Sequence, residues 1–301
     1  MDKNIKNNLE RIKLMEYKEE YNSKEKIEIL SVGSIKTICT IKIPNNINKI
    51  AAGNFADCYS LESVILPNNI ETIEKTAFFN CLKLKNIILP ETLKKINDNA
   101  FSVCNSLEEI ELPDSIEEIG AEAFCDCFLL NKIALPNNLK IINKATFKNC
   151  KHLGKVILPN KLEVINTHAC EGCISLKEIV FPASLEAINS RAFSQCESLK
   201  NIEIPSSVEH IGHYAFAGCD YLKEIKINAE CKIPEDLLSY CYNLTKIYIT
   251  RKSFDCSPDF VRQYKDKIEI IGPKTLEELL DEGKSFREVS KIISQYDNLE
   301  I

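Results

Sequence analysis

The sequence predicts an α/β solenoid: an elongated stack of short coils, each with a very short strand and a compact turn or short helical segment. Three observations carry this reading. Prolines stand at Pro44, Pro67, Pro90, Pro113, Pro136, Pro159, Pro182 and Pro205, each 23 positions after the last. Cysteines stand at Cys58, Cys81, Cys104, Cys127, Cys150, Cys173, Cys196 and Cys219, always 14 residues beyond the proline. Between them, short apolar runs keep one register, and self-similarity at such a period is the signature of stacked repeats. The 301 residues could otherwise hold one or two globular domains. Repeats bury their core against their neighbours, so the array forms one elongated unit.

The net charge is −6 with both signs interspersed, and no basic stripe marks a nucleic-acid surface. Residues 1–10 are polar and lack the apolar core of a secretory signal. No run reaches the roughly 18 apolar residues of a membrane span, so membrane insertion is not expected. The expected location is cytoplasmic; a removed leader or unconventional export would instead make it extracellular or cell-surface. Of 14 cysteines, eight share one register per repeat, where a thiol acts as a small buried hydrophobe. No Cys-x-x-Cys pair joins a second at zinc-finger spacing; Cys125-Asp126-Cys127 and Cys170-Glu171-Gly172-Cys173 are local excursions.

In chain order, residues 1–37 read as an N-terminal cap. Leu9, Ile12 and Met15 recur three apart, with a second stripe of Leu14, Tyr17 and Tyr21, which predicts a short amphipathic helix over 8–21. It either covers the open apolar end of the stack or docks a partner. An irregular first strand follows over 26–31. Residues 38–249 form the regular array, and 250–301 a C-terminal cap ending in a helical hairpin.

The unit is clearest as Leu84-x-x-Ile87-x-Leu89-Pro90-x-x-Leu93-x-x-Ile96-x-x-x-Ala100-Phe101-x-x-Cys104-x-x-Leu107. In the strand Ile87 and Leu89 point inward and Ile88 outward. Pro90 ends the hydrogen-bonding run because it has no N–H. Leu93 and Ile96 line the next wall, Phe101 fills the wide part of the coil, and Ala100 permits close backbone approach. The aromatic register reads Phe55, Phe78, Phe101, Phe124, Phe147, Phe193 and Phe216, with Cys170 in its gap. Phe181, in the strand register, is larger than its counterparts and is expected to compensate for the volume lost at Cys170. Two residues after each proline stand Asn46, Asn69, Thr92, Ser115, Asn138, Lys161, Ser184 and Ser207. Short polar side chains there can bond backbone groups between coils; Lys161 departs from them and is expected to expose its amine.

These motifs closely resemble the BspA-like leucine-rich repeat family, the type 5 class, in which Leu-Pro-x-x-x-x-x-Ile and Ala-Phe-x-x-Cys-x-x-Leu recur in each unit. The resemblance covers about 38–249. It implies a right-handed solenoid with a parallel sheet on the concave face and short helical or irregular convex segments. Its rungs would be 64–66, 87–89, 110–112 and their equivalents.

After Cys219 the register weakens. Asn228 replaces proline, and Leu237, Leu238, Cys241, Leu244, Ile247 and Ile249 fit a ninth unit one residue shorter. Ser257-Pro258 starts a short helix, and 268–271 reads as a strand. Two helices over 275–281 and 285–294 follow. They read as a cap or a docking appendage and lack the basic face of a DNA-binding pair.

No catalytic chemistry can be assigned. His152, His168, His210 and His213 occupy turn or surface registers, no nucleophile, base and acid share a spacing, and no phosphate-cradling glycine loop is present. The chain is read as not an enzyme, with no cofactor. The stronger lead is the middle of each strand, which faces out of the concave sheet: Lys42, Ile65, Ile88, Glu111, Ala134, Ile157, Val180, Glu203, Lys226 and Tyr248. The inner neighbours already fill the core. The apolar members therefore reflect strand propensity or a surface for a protein or peptide partner. Asn86, Glu109, Lys132, Lys155, Glu178 and Asn201 would form its polar rim. The expected function is noncatalytic protein recognition or scaffolding. The alternative, which the resemblance suggests, is a secreted or cell-surface adhesion or host-interaction module.

Overall fold

In the computed structural model, residues 28–30, 40–250 and 257–271 are described. The helices expected over 8–21, 275–281 and 285–294 lie outside them, as do most of both expected caps.

The coils lay down short parallel strands on two faces, the first face forming three separate sheets joined in part by single bridges at Glu109 and Glu178. On the first face stand β1 (Glu28–Leu30), β2 (Thr40–Lys42), β4 (Ser63–Ile65), β6 (Asn86–Ile87), β9 (Lys132–Ala134) and β11 (Lys155–Ile157). It continues through β14 (Asn201–Ile204), β16 (Glu224–Ile227), β17 (Lys246–Thr250) and β18 (Ile268–Ile271). β1 pairs antiparallel with β2, and the other pairings are parallel and in register, as in Ile41↔Val64 and Val64↔Ile87. The expected rungs need a correction: strands begin one residue earlier and stop before the leucine, and the rung expected at 110–112 is reduced to an isolated bridge at Glu109. The proline that follows has no N–H to donate across the ladder, so pairing ends early. The exceptions support that cause. Asn228 stands where proline would, its N–H bonds the Ile204 carbonyl at 3.0 Å, and β16 runs to four residues.

The second ladder escaped the sequence reading. It comprises β3 (Lys49–Ile50), β5 (Thr72–Ile73), β7 (Lys95–Ile96), β8 (Glu118–Ile119), β10 (Ile141–Ile142), β12 (Val164–Ile165), β13 (Ala187–Ile188) and β15 (His210–Ile211). These pair in parallel as two four-stranded sheets, β3-β5-β7-β8 and β10-β12-β13-β15. Two-residue strands leave too little alternation to show as a pattern.

The Ala-Phe segments are turns rather than helices. Their N–H groups alternate between partners. Phe78 and Phe101 donate to the next coil's alanine carbonyl at 2.8 Å, while Cys81 and Cys104 donate back three residues. This path needs positive φ twice per coil, at Thr76 and Asn80, Asn99 and Val103, Glu122 and Asp126 and their equivalents. Asparagine tolerates that region better than most residues and here also ties coils together: Asn80 Nδ2 donates to Asp57 at 3.0 Å and Asn149 Nδ2 to Asp126 at 2.9 Å.

The core is a column. Phe55, Phe78, Phe101, Phe124 and Phe147 stack with ring centroids 5.2, 5.2, 5.4 and 5.8 Å apart. Buried Cys170 interrupts the stack, which resumes as Phe193–Phe216 at 5.5 Å. The Phe181 ring stands edge-on to Phe193 and Phe216. The thiol beside the column does more than fill space. Cys81, Cys104, Cys127 and Cys150 each donate to the carbonyl of the phenylalanine 26 residues earlier, at 3.1–3.3 Å. The twelve cysteines among the described residues are buried, and burial pushes thiols such as Cys104 and Cys150 well above their usual pKa. In the shortened ninth unit the same bond spans 25 residues, from Cys241 to Phe216.

The polar register after proline behaves as its chemistry requires. Thr92, Ser115, Ser184 and Ser207 donate to carbonyls 22 residues earlier at 2.7–2.8 Å. Lys161 instead reaches Asn138 Oδ1 at 3.0 Å on the exposed surface. Helix α1 (Pro258–Tyr264) is capped by Ser257 and buries Phe260 and Tyr264 against the stack before β18 adds its last described rung.

Candidate protein-docking surface

Strand alternation decides which side chains face outward. Val64, Ile87, Ile133, Val156 and Ile179 are buried, whereas their C-terminal neighbours Ile65, Ile88, Ala134, Ile157 and Val180 are exposed. Glu111 and Glu203 are exposed in the same column, while Lys226 and Tyr248 are partly exposed. Ile88 shows 85% of its surface and Val180 80%, more than Ile157 at 52% or Ile65 at 45%. Ile88 follows β6 directly and Val180 stands two residues after the isolated Glu178 bridge; both are held almost wholly in solvent beside buried Ile87 and Ile179.

The column ends in charge. Lys226 Nζ lies 2.8 Å from Glu203, and Asn228 also donates to that carboxylate. The Lys226 hydrogen bond, with that of Asn228, outweighs partial burial and holds Glu203 below the usual carboxylate pKa. Lys246 sits 5.4 Å over the Tyr248 ring. In the rim, Lys132 pairs with Glu109 at 3.4 Å and Lys155 with Glu178 at 3.9 Å; Asn86 and Asn201 are exposed beside them. Exposed pairs of this kind add little stability, so they set charge pattern more than fold.

The sheet face is not uniform. A hollow of about 1140 Å³ opens over its C-terminal half, between Gly154 and Tyr248. Val180, Glu203, Lys226 and Tyr248 line it; Ile65, Ile88, Glu111, Ala134 and Ile157 lie on the sheet outside that lining. The sequence reading missed Lys177 and Lys200, which also line it. Their signal was available: both stand three residues before a mid-strand position.

Other titratable groups lie away from this face. His213 contacts Asp236 at 2.9 Å, and His210 lies in β15 with an exposed side chain. Among the described residues, no group of three or more His, Cys, Asp or Glu side chains is placed to hold a metal ion. Glu171, with a side chain only 11% exposed, meets Lys148 at 2.7 Å, His168 at 2.8 Å and Arg191 at 3.9 Å. Burial pushes its pKa up, but the Lys148 hydrogen bond and the charges of His168 and Lys148 prevail and lower it. A depressed carboxylate stabilises the fold above its unfolded pKa, about 4.3, and that contribution is lost as pH falls through the folded value. Glu171→Gln is therefore expected to flatten the loss of stability on acidification, read as Tm against pH below about pH 5. An unchanged profile would show that the cluster carries no pH-linked stability.

A family model described as "BspA type Leucine rich repeat region" matches residues 32–154 and 140–259. The chain belongs to the BspA-type leucine-rich repeat family. This BspA-type solenoid is similar to a leucine-rich repeat protein from Bacteroides ovatus, at TM-score 0.53 and 20% identity, over 84% of this chain and 100% of that one. That likeness shows the fold. A T. pallidum leucine-rich repeat protein matches at TM-score 0.46 and 27% identity, over 61% of this chain and 77% of the other. The pneumococcal vaccine antigen PcpA matches at TM-score 0.42 and 22% identity, over 78% and 79%. No curated protein matches the chain.

Proposed function

We propose that this BspA-type repeat protein recognises another protein across its strand face, without catalysis. The observation that carries the reading is the near-complete exposure of Ile88 and Val180, which stand on the strand face beside buried Ile87 and Ile179 where the core does not need them. Solenoids use such extended surfaces for binding, and apolar residues rimmed by polar ones mark interaction sites. Ile65–Ile88 and Ala134–Ile157–Val180 form two apolar stripes, divided by Glu111 and closed by Glu203. Their rim of two Glu–Lys pairs, Glu109–Lys132 and Lys155–Glu178, would orient the partner more than tighten it.

The test is the pair Ile88→Asp with Ile157→Asp in the full chain. Both positions face solvent, so each substitution should cost no more than about 1 kcal/mol of stability. Binding to a partner captured on the wild-type chain should fall by roughly tenfold or more, as expected when central apolar contacts are lost. A double variant that stays folded and binds that partner as tightly as wild type would move recognition to another face.

A further inference from the structure

Three lysines stand in register on successive coils: Lys177, Lys200 and Lys223. All are exposed, and the first two line the hollow beside Val180. Neighbouring lysines are engaged, Lys155 by Glu178, Lys226 by Glu203 and Lys246 by Glu269. Among the described residues these three have no carboxylate partner. Of the three glutamates that line the hollow, Glu178 pairs with Lys155 and Glu203 with Lys226, while Glu224 stands beside Lys223 in the chain. In a chain of net charge −6 the hollow is thus lined by four lysines against three glutamates, with Lys223 added at its edge, a local positive excess.

Spacing selects the partner's shape. Parallel rungs repeat at about 4.8 Å, so the row spans about 9.6 Å. Same-side residues of an extended strand repeat at about 6.7 Å and lose step with the lysines after one rung. Residues i, i+3 and i+7 of an α-helix rise about 4.5 and 10.5 Å, which keeps step across all three. Two turns of a helix about 10 Å wide occupy roughly 850 Å³, and the hollow is about 1140 Å³. Its floor supplies an apolar contact, Val180, with Ile157 one coil before it.

We propose that the hollow receives an acidic amphipathic α-helix of a partner protein, lying along the solenoid axis. Its carboxylates at i, i+3 and i+7 face Lys177, Lys200 and Lys223, and an adjacent apolar row seats on Val180 and Ile157. This deepens the protein-recognition reading and rests on it.

The experiment uses the full chain and a labelled, side-chain-stapled peptide of about four turns, long enough to hold a helix. It carries Glu at i, i+3 and i+7 and Leu on the next row. A matched peptide has Lys in place of each Glu, and a third has its helix broken by proline. Fluorescence anisotropy should show the Glu helix binding, the Lys helix at least about tenfold weaker, and the difference shrinking in about 0.5 M salt. K177E/K200E/K223E should reverse the preference, and Val180→Asp should weaken the Glu helix; circular dichroism checks that both variants fold. Equal binding of the Glu and Lys helices, or an indifferent triple variant, overturns the proposal. Equal binding of the proline-broken peptide overturns the helix and favours an extended segment. Self-association that the triple variant abolishes and the Glu helix does not displace assigns the hollow to a second copy of the chain. If no peptide binds while Ile88→Asp with Ile157→Asp still loses a captured partner, this proposal falls and the docking reading stands.

Discussion

Phe101→Ala is expected to lower the unfolding free energy by about 3–5 kcal/mol. The ring is fully buried, with Phe78 at 5.2 Å on one side and Phe124 at 5.4 Å on the other. Truncation removes the transfer energy of the side chain and both ring contacts, and leaves a cavity. The second ladder, β5-β7-β8, and the N–H bonds of Phe78 and Phe101 to the next coil hold the flanking coils at fixed spacing, so the gap cannot close by moving them together. Denaturant unfolding should show a lower midpoint with unchanged spectroscopic strand content at zero denaturant. Phe193→Ala supplies a comparison, since that ring has a stacked neighbour in Phe216 and an edge-on one in Phe181. A loss below about 1 kcal/mol for Phe101→Ala would mean the column relaxes freely, against the packing described here.

Gly212→Ala should be the most damaging one-methyl change, costing about 3 kcal/mol. A Cβ there would lie 2.2 Å from the Ser190 backbone nitrogen and 2.6 Å from the Asn189 carbonyl carbon. Backbone cannot rotate away as a side chain can. The Gly212 N–H also bonds the Ile188 carbonyl at 2.8 Å, so a shift to relieve the clash strains the second ladder. Gly53→Ala is the control: its φ is +65° but its nearest neighbour would be 3.7 Å away. Thr76 and Asn99 occupy the same backbone region one and two coils on. The control should therefore cost only about 1 kcal/mol. Urea midpoints of the two variants measured together check the ranking, and equal losses would count against close backbone approach as the cause.

The parts of this fold legible in sequence were those that repeat with bulk. Phe101, Ile87, Leu93 and Cys104 recur at fixed offsets because each fills one site in a stacked core, and all are buried. The second ladder was illegible because two residues per coil, such as Lys95–Ile96, show no alternation. The two positive-φ positions per coil were hidden for another reason. Thr76, Glu122, Arg191 and Tyr214 sit there without the glycine that normally announces that conformation, since neighbouring coils on either side hold the backbone in place. At the candidate surface, alternation placed Ile88 and Val180 outward. The hollow could not be read, because it depends on curvature across several coils, and Lys177 and Lys200 lay just outside the strand positions considered.

The thiol bonds between coils have a chemical consequence. Cys104 reaches back to Phe78, Cys127 to Phe101 and Cys150 to Phe124, so each sulfur is sealed by the coil before it. A reagent can reach such a sulfur only while two adjacent coils are apart. Alkylation rates, resolved cysteine by cysteine under native conditions, would then map how often each joint of the stack opens. The molecule carries its own set of strain gauges, one at nearly every junction.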